Sequence, residues 1–437
     1  MKRWLAVAGI LVASSPHARA QEKPQAFVGA RVIPITGPEI PKGVVVVQKG
    51  KIVAVGAEGG VSIPAGAIRH DVAGKVVMPG LVDTHSHLGG VEGADSSAPI
   101  QPDARALDSI NIEDARFKKA QSGGITTVNI MPGSGHLLSG QTVYLKLRNG
   151  RQIEDLLVLD PKAGPIGGMK MANGTNSRKK PPFPGTRAKS ASLVREQYVK
   201  AQEYRQKIKD AAGDPKKVPA RDLGLEALTE VLDGKRVVHE HTHRHDDIIT
   251  ALRLSKEFGY KIVLHHVSEG YKVADEIAAA GAPCSIIYVD SPGGKLEAKD
   301  LSFANGAILE KAGVLVGFHT DDPITDSRLF LRSAGLAVRG GMSRDKALYA
   351  LTMAGAIMLD LKGRVGSLES EKDADLIVLS GDPLSYKTHV IETWVEGSKV
   401  FDRSDPKDHL YAVGGYGAGH DQPPSASDGD EEGEEGR

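Results

Sequence analysis

The sequence predicts an α/β protein: a TIM-like (β/α)8 barrel joined to a small β-sandwich built from both ends of the chain. Three observations predict it. Short Val/Ile-rich runs separated by Gly/Pro turns occupy residues 25–77 and return at 374–382 and 390–402. Between them, strand-like runs alternate with helical stretches, the pattern of a parallel sheet covered by helices. Histidines and aspartates gather where those runs end, and the C-terminal strand ends are where such a barrel assembles its chemistry.

In chain order, AFVGARVIPI, GVVVVQKGKIVAVG and HDVAGKVVMPG supply the first β segments, and ADLIVLSGD and VIETWVEGSKVFD supply the last. The sandwich is expected over residues 21–78 and 363–410, and the barrel over 79–362. The eight barrel strands are the one ending in His85-Ser86-His87 and those at 125–131, 141–147, 168–172, 235–241, 261–266, 282–289 and 314–320. Helices are expected over Ile112–Ser122, Asp246–Phe258 and Glu269–Ala280. Residues 173–220 are an insertion, a Pro/Lys/Arg-rich loop followed by a polar helix from Ser192 to about Ala212. No GxGxxG turn opens a helix, which argues against an open dinucleotide-binding sheet.

Met1–Ala20 has basic Lys2-Arg3, an apolar run to Ala13 and Ala18-Arg19-Ala20 before Gln21, the pattern of a cleavable secretory signal. A secreted or periplasmic protein is therefore expected, and the run is too short for a membrane-spanning helix. The chain has 437 residues and no net formal charge. That zero combines a signal at +3 and an acidic end, Asp421–Arg437, at −6, leaving about +3 between them. So weak a balance leaves no electrostatic footprint for nucleic acid. Residues 411–437 are expected to be a disordered acidic tail. The lone cysteine, Cys284, lies in an apolar run and belongs to the core, so no internal disulfide forms.

Side chains two apart on a strand point to the same side, so His85 and His87 present parallel imidazoles able to share a metal ion. VVHEHTHRHDDI places His239, His241, His243 and His245 at alternate positions. The strand is expected to end near His241, with Asp246 and Asp247 as helix caps; a loose metal-buffering tract is the other reading of four such histidines. In KIVLHH, His265 and His266 are adjacent, so at most one should face the barrel axis. His319-Thr320-Asp321-Asp322 closes the last strand, where a carboxylate can take a proton from water and pass it to a leaving nitrogen. The basic run Arg178-Lys179-Lys180 reads as a solvated loop, with contact to an acidic substrate as the alternative.

The order of these clusters, with PGLVDTHSHL at the entry and ADLIVLSGDP…WVEGSKV at the close, resembles the amidohydrolase superfamily over about residues 25–403. HRHDDI and EGYKVADE bring it nearest to the imidazolonepropionase-like branch. The resemblance implies a metal-dependent hydrolase of C–N bonds binding one or two divalent ions, zinc foremost. It implies His85, His87, His241, His266 and Asp321 as ligands, with Asp321 also as general base and acid and His243 or His266 as oxyanion stabiliser. It also implies Lys170, in GMKMA, as a carboxylated bridge between two ions; a solvent-facing or tail-packing lysine is the other reading. The implied partner is a small amide, cyclic amide or peptide, with neither nucleic acid nor membrane, and a homo-oligomer is compatible. Deamination, and a metal- or ligand-binding protein that has lost catalysis, are the alternatives. His265, where the relatives carry Glu, and His136 depart from the family pattern.

Overall fold

Val44–Val47 are all buried, which alternating amphipathic strands do not allow; the run is a central strand covered on both faces. It lies in β2 (Ile40–Gln48), between β1 (Gln25–Val32) and β3 (Lys51–Ala57), ahead of β4 (Ile68–Asp71) and β5 (Val76–Pro79). Val45 and Val47 pack with Phe27, and Val44 and Val46 with Ala26 on the opposite face. The β2–β3 hairpin turns through Lys49 and Gly50, both at positive φ, the conformation a two-residue hairpin loop demands. These features come from a computed structural model that describes residues 23–91, 95, 97–288 and 295–414. The expected signal and the acidic tail beyond residue 414 lie outside the described residues.

The central region, where the barrel is expected, runs through β6 (Leu81–Ser86), α1 (Ala115–Ser122), β7 (Ile125–Ile130), β8 (Leu138–Gln141) and β9 (Val143–Lys146). A short pair, β10 (Leu159–Asp160) and β11 (Gly164–Pro165), precedes β12 (Met169–Ala172), α2 (Arg187–Asp210) and α3 (Leu223–Leu232). Strands and helices then alternate: β13 (Val238–Thr242), α4 (His245–Phe258), β14 (Ile262–His266), α5 (Ala274–Ala280), β15 (Cys284–Ile286), α6 (Asn305–Lys311) and β16 (Val316–Phe318). Three helices follow, α7 (Arg332–Arg339), α8 (Arg344–Ala350) and α9 (Met353–Met358). The chain returns to sheet in β17 (Leu376–Leu379), β18 (Val390–Val395) and β19 (Ser398–Asp402), and α10 (Pro406–Val413) ends the described part. Residues 411–413, expected to be disordered, are thus helical, with Asp405 capping α10 through Lys407 N–H. No described helix is long and apolar enough to cross a membrane.

Both chain ends enter one eight-stranded sheet, ordered β19-β18-β17-β5-β1-β2-β3 with β4 beside β1. The sheet rolls over on itself: Phe27 on β1 and Trp394 on β18, two strands removed from being neighbours, have ring centroids 5.1 Å apart. The seam is β17 against β5, with Ile377 opposite Met78. β5 continues through Gly80 into β6, and a Cβ on Gly80 would lie 2.2 Å from Thr126 Oγ1, so the junction needs glycine. Lys146 of β9, fully buried, crosses the same junction to Asp373, Asp375 and Glu396.

Parallel pairing runs through β6–β7 and through β12-β13-β14-β15-β16. The last strand's end returns to the first: Asp321 N–H donates to His85 O at 2.9 Å, and Thr84 Oγ1 donates to Phe318 O at 3.3 Å. One expected strand is corrected. Residues 141–147 run antiparallel to β7, and β8 runs antiparallel to β12, so the described residues between 79 and 362 hold seven parallel strands, not eight. The link from Ile130 to Leu138 is too short for the crossover of about a dozen residues that a parallel return requires. Helix starts also moved. The insertion helix begins at Arg187, where Thr186 accepts Lys189 N–H, and α5 begins only at Ala274, after a 3-10 turn at Gly270–Lys272.

Candidate metal centre

His85 and His87 lie on one side of the β6 end, their Nε2 atoms 3.3 Å apart. Asp321 Oδ1 stands 3.2 Å from His85 Nε2 and 3.0 Å from His87 Nε2. His87 Nδ1 lies 2.8 Å from Met131 O, which can only accept, so that nitrogen carries a proton and Nε2 is the atom that would be offered to a metal. Two imidazole nitrogens and a carboxylate oxygen thus form a triangle of atoms able to ligate one ion. Edges of this length fit a divalent ion bonded at about 2.0–2.2 Å. Burial pushes the Asp321 carboxyl up, but the His87 bond and the charges of His87, His319 and Lys170 more than reverse this and hold it well below the carboxylate range. Burial, then Lys170, drives His85 well below the usual imidazole value, keeping it the neutral ligand a metal requires.

The neighbouring elements hold the triangle in shape. Buried Asp83 accepts from Thr320 Oγ1 at 2.6 Å, Thr320 N–H at 3.1 Å and His85 N–H at 3.2 Å, tying β6 to the residues after β16. Its carboxyl is pushed up to about 7, chiefly by burial. Asp321 itself sits at φ 51°, a left-handed conformation costly for aspartate, locked by its N–H bond to His85 O.

Lys170 is fully buried, with Nζ 3.1 Å from His85 Nε2 and 3.2 Å from Met131 Sδ. A solvent-facing lysine is therefore ruled out. His241 is buried with both ring nitrogens lacking a hydrogen-bond partner, and its ring centroid is 4.4 Å from that of His266. His266 Nε2 is likewise unpartnered, as is His243 Nε2, and one ring nitrogen from each of the three lies within 4.8 Å of the others. His243 Nδ1 meets Ser268 Oγ at 2.7 Å. Burial lowers all three imidazoles well below their ordinary value. Orphaned, neutral imidazoles in a buried cluster are a donor set suited to a divalent cation.

Two expectations are corrected here, and the strand ends close to His241 as expected. His265 and His266 both reach the centre, each with its ring centroid 5.0 Å from that of His85, because His266 adopts φ 67° and swings back inward. The histidine tract divides: His239, His241 and His243 are buried, whereas His245 starts α4, half exposed and 2.6 Å from Glu269. Asp246 and Asp247 do not cap α4; they pair with Arg244 and Arg187. In the basic run, Arg178 Nε donates to Gly174 O and Lys179 stands 5.4 Å above the Phe183 ring.

Sequence reasoning gave no role to a polar layer next to the triangle. Tyr144 OH meets His239 Nε2 at 3.0 Å, and His239 Nδ1 meets His265 Nε2 at 2.9 Å. Thr84, Ser285 and His319 form a second chain that ends on His266 Nδ1, 3.2 Å from His319 Nε2. His319 could have been found, since it stands two residues before Asp321. Glu297 could not: it follows β15 by eleven residues, yet its unpartnered Oε1 lies 3.9 Å from His241 Nε2.

Comparison with known proteins places this geometry in a family. The Amidohydrolase family profile matches residues 76–402. Amidohydrolase tasK of Hapsidospora irregularis is 27% identical over 391 residues, 82% of this chain and 40% of that longer protein. The imidazolonepropionase of Bdellovibrio bacteriovorus is 23% identical over 77% of this chain and 82% of its own length. The crystal structure of an amidohydrolase from Thermotoga maritima aligns with a TM-score of 0.80 at 34% identity, over 86% of this chain and all of that one. The chain belongs to the amidohydrolase family of hydrolases acting on carbon–nitrogen bonds.

Proposed function

We propose that this chain hydrolyses the C–N bond of an amide, cyclic amide or dipeptide, using one or two divalent ions held by His85, His87, His241, His266, Asp321 and Lys170. The observation that carries the reading is the triangle of His85 Nε2, His87 Nε2 and Asp321 Oδ1. A divalent ion there, zinc foremost, supplies Lewis acidity that polarises the carbonyl and acidifies water. Lys170, if carboxylated, would add the ligands of a second ion. Asp321, ionised, accepts the proton of the attacking water and returns it to the leaving nitrogen. Were Ser268 Oγ–H to donate to His243 Nδ1, the His243 proton would sit on Nε2 and could bond the developing oxyanion; His266, if free of metal, could share that role.

The test is hydrolysis of a panel of dipeptides and lactams by the purified protein. Activity lost to a chelator and restored by Zn²⁺ is expected; no hydrolysis by the zinc-loaded protein would overturn the reading. Ring opening of a cyclic amide, suggested by the imidazolonepropionase relatives, would use the same groups. Export follows from the Met1–Ala20 pattern, and a mature protein starting at Gln21 on N-terminal sequencing is the expected result.

A further inference from the structure

Two loops meet beside His241 at the mouth of the barrel. Thr175 N–H, from the insertion, donates to Glu297 Oε2 at 2.8 Å, and Lys295 Nζ reaches Asn176 Oδ1 at 3.4 Å. Although Lys295 and Glu297 are two residues apart, they do not pair. Glu297 is engaged by Thr175 and lies 4.0 Å from Arg187, and Asp321 is engaged by the two histidines of β6. Among the described residues no carboxylate pairs with Lys295, whose recorded contact is the neutral Asn176.

The Lys295 charge is among those that disfavour protonation of both His241 and His243. With a divalent ion bound at the histidine cluster, Lys295 would stand near further positive charge. A lysine with no carboxylate partner among the described residues is matched by an anion that arrives with the ligand. His243, 7% exposed, presents its unpartnered Nε2 in the same region.

Resting on the C–N hydrolase reading above, we propose that Lys295 and the Asn176 loop form a carboxylate subsite. The substrates are then N-acyl amino acids or dipeptides with a free terminal carboxylate, not uncharged cyclic amides. Lys295 fixes the end of the substrate beyond the scissile bond, and it takes no part in proton transfer.

The test is calorimetric titration of the zinc-loaded full chain with N-acetyl-alanine, N-acetyl-leucine, N-acetyl-phenylalanine and N-acetyl-proline, and with their carboxamides. At least one acid is expected to bind 30-fold or more tightly than its amide. Lys295→Met should erase that preference while leaving amide binding unchanged, and Lys295→Arg should restore part of it. Equal binding of acid and amide, a preference that survives Lys295→Met, or no binding at all would overturn the subsite. Turnover of the same compounds is scored separately. Lys295-dependent binding without cleavage upholds the subsite and sinks the hydrolase reading, whereas cleavage indifferent to the carboxylate does the reverse.

Discussion

At the scale of single residues, the centre depends on which atom holds a proton and which backbone bends to bring it in. Asp321→Asn should keep its metal, measured by elemental analysis, while turnover falls by a factor of about 10²–10⁴, the usual worth of a positioned acid–base group. Unchanged kcat would show that the proton moves by another route. His243→Ala should lower kcat by about 10²-fold with metal content intact if its Nε2–H serves the oxyanion, and metal loss in that variant would make it a ligand instead. The first ligand pair was legible because strand periodicity alone aligns His85 with His87. The joint approach of His265 and His266 was not: nothing in the letters HHV announces a left-handed residue, and that conformation lets His266 meet His241 while His265 also faces His85. Glu297 was equally hidden, since a loop residue reaches the site by tertiary path and not by period.

Among elements, the alternation of strands and helices from β12 to β16 was readable because each unit is long enough to show its own period. The antiparallel β8 and β9 were not, because QTVYLKL has the same composition whichever way it runs; direction is decided by the shortness of the preceding link. These two strands also carry Lys146 to the terminal sheet, where it meets Asp373 and Asp375 in a buried cluster. Lys146→Met should destabilise the fold by about 3–5 kcal/mol in urea titration, since it leaves buried carboxylates short of a partner. Burial raises the Asp373 carboxyl, but Lys146, Arg364 and Lys51 outweigh it and hold the group near a pKa of about 2. A depressed carboxyl contributes stability above its unfolded value of about 3.9, and the contribution disappears as pH falls below that. The urea midpoint should therefore drop as pH is lowered from that value through about 2, and Arg364→Met should flatten the drop.

Across the whole molecule, the expected ligands come from β6, β12, β13, β14 and the segment after β16, so a bound ion ties together strands distant in sequence. Removing it with a chelator should lower Tm, and zinc at about 1,000 times its Kd should restore about 4 kcal/mol. A Tm indifferent to both would mean that packing alone holds the centre. The seam between β5 and β17 has a further consequence, in the order of synthesis. β6 and its two histidines are made early, yet the strand leading into them is clamped only when Leu376–Leu379 emerges, almost three hundred residues later. A nascent chain therefore has no finished first-ligand strand until translation is nearly complete. Stopped just before Asp375, it should fail to retain zinc even with every ligand present.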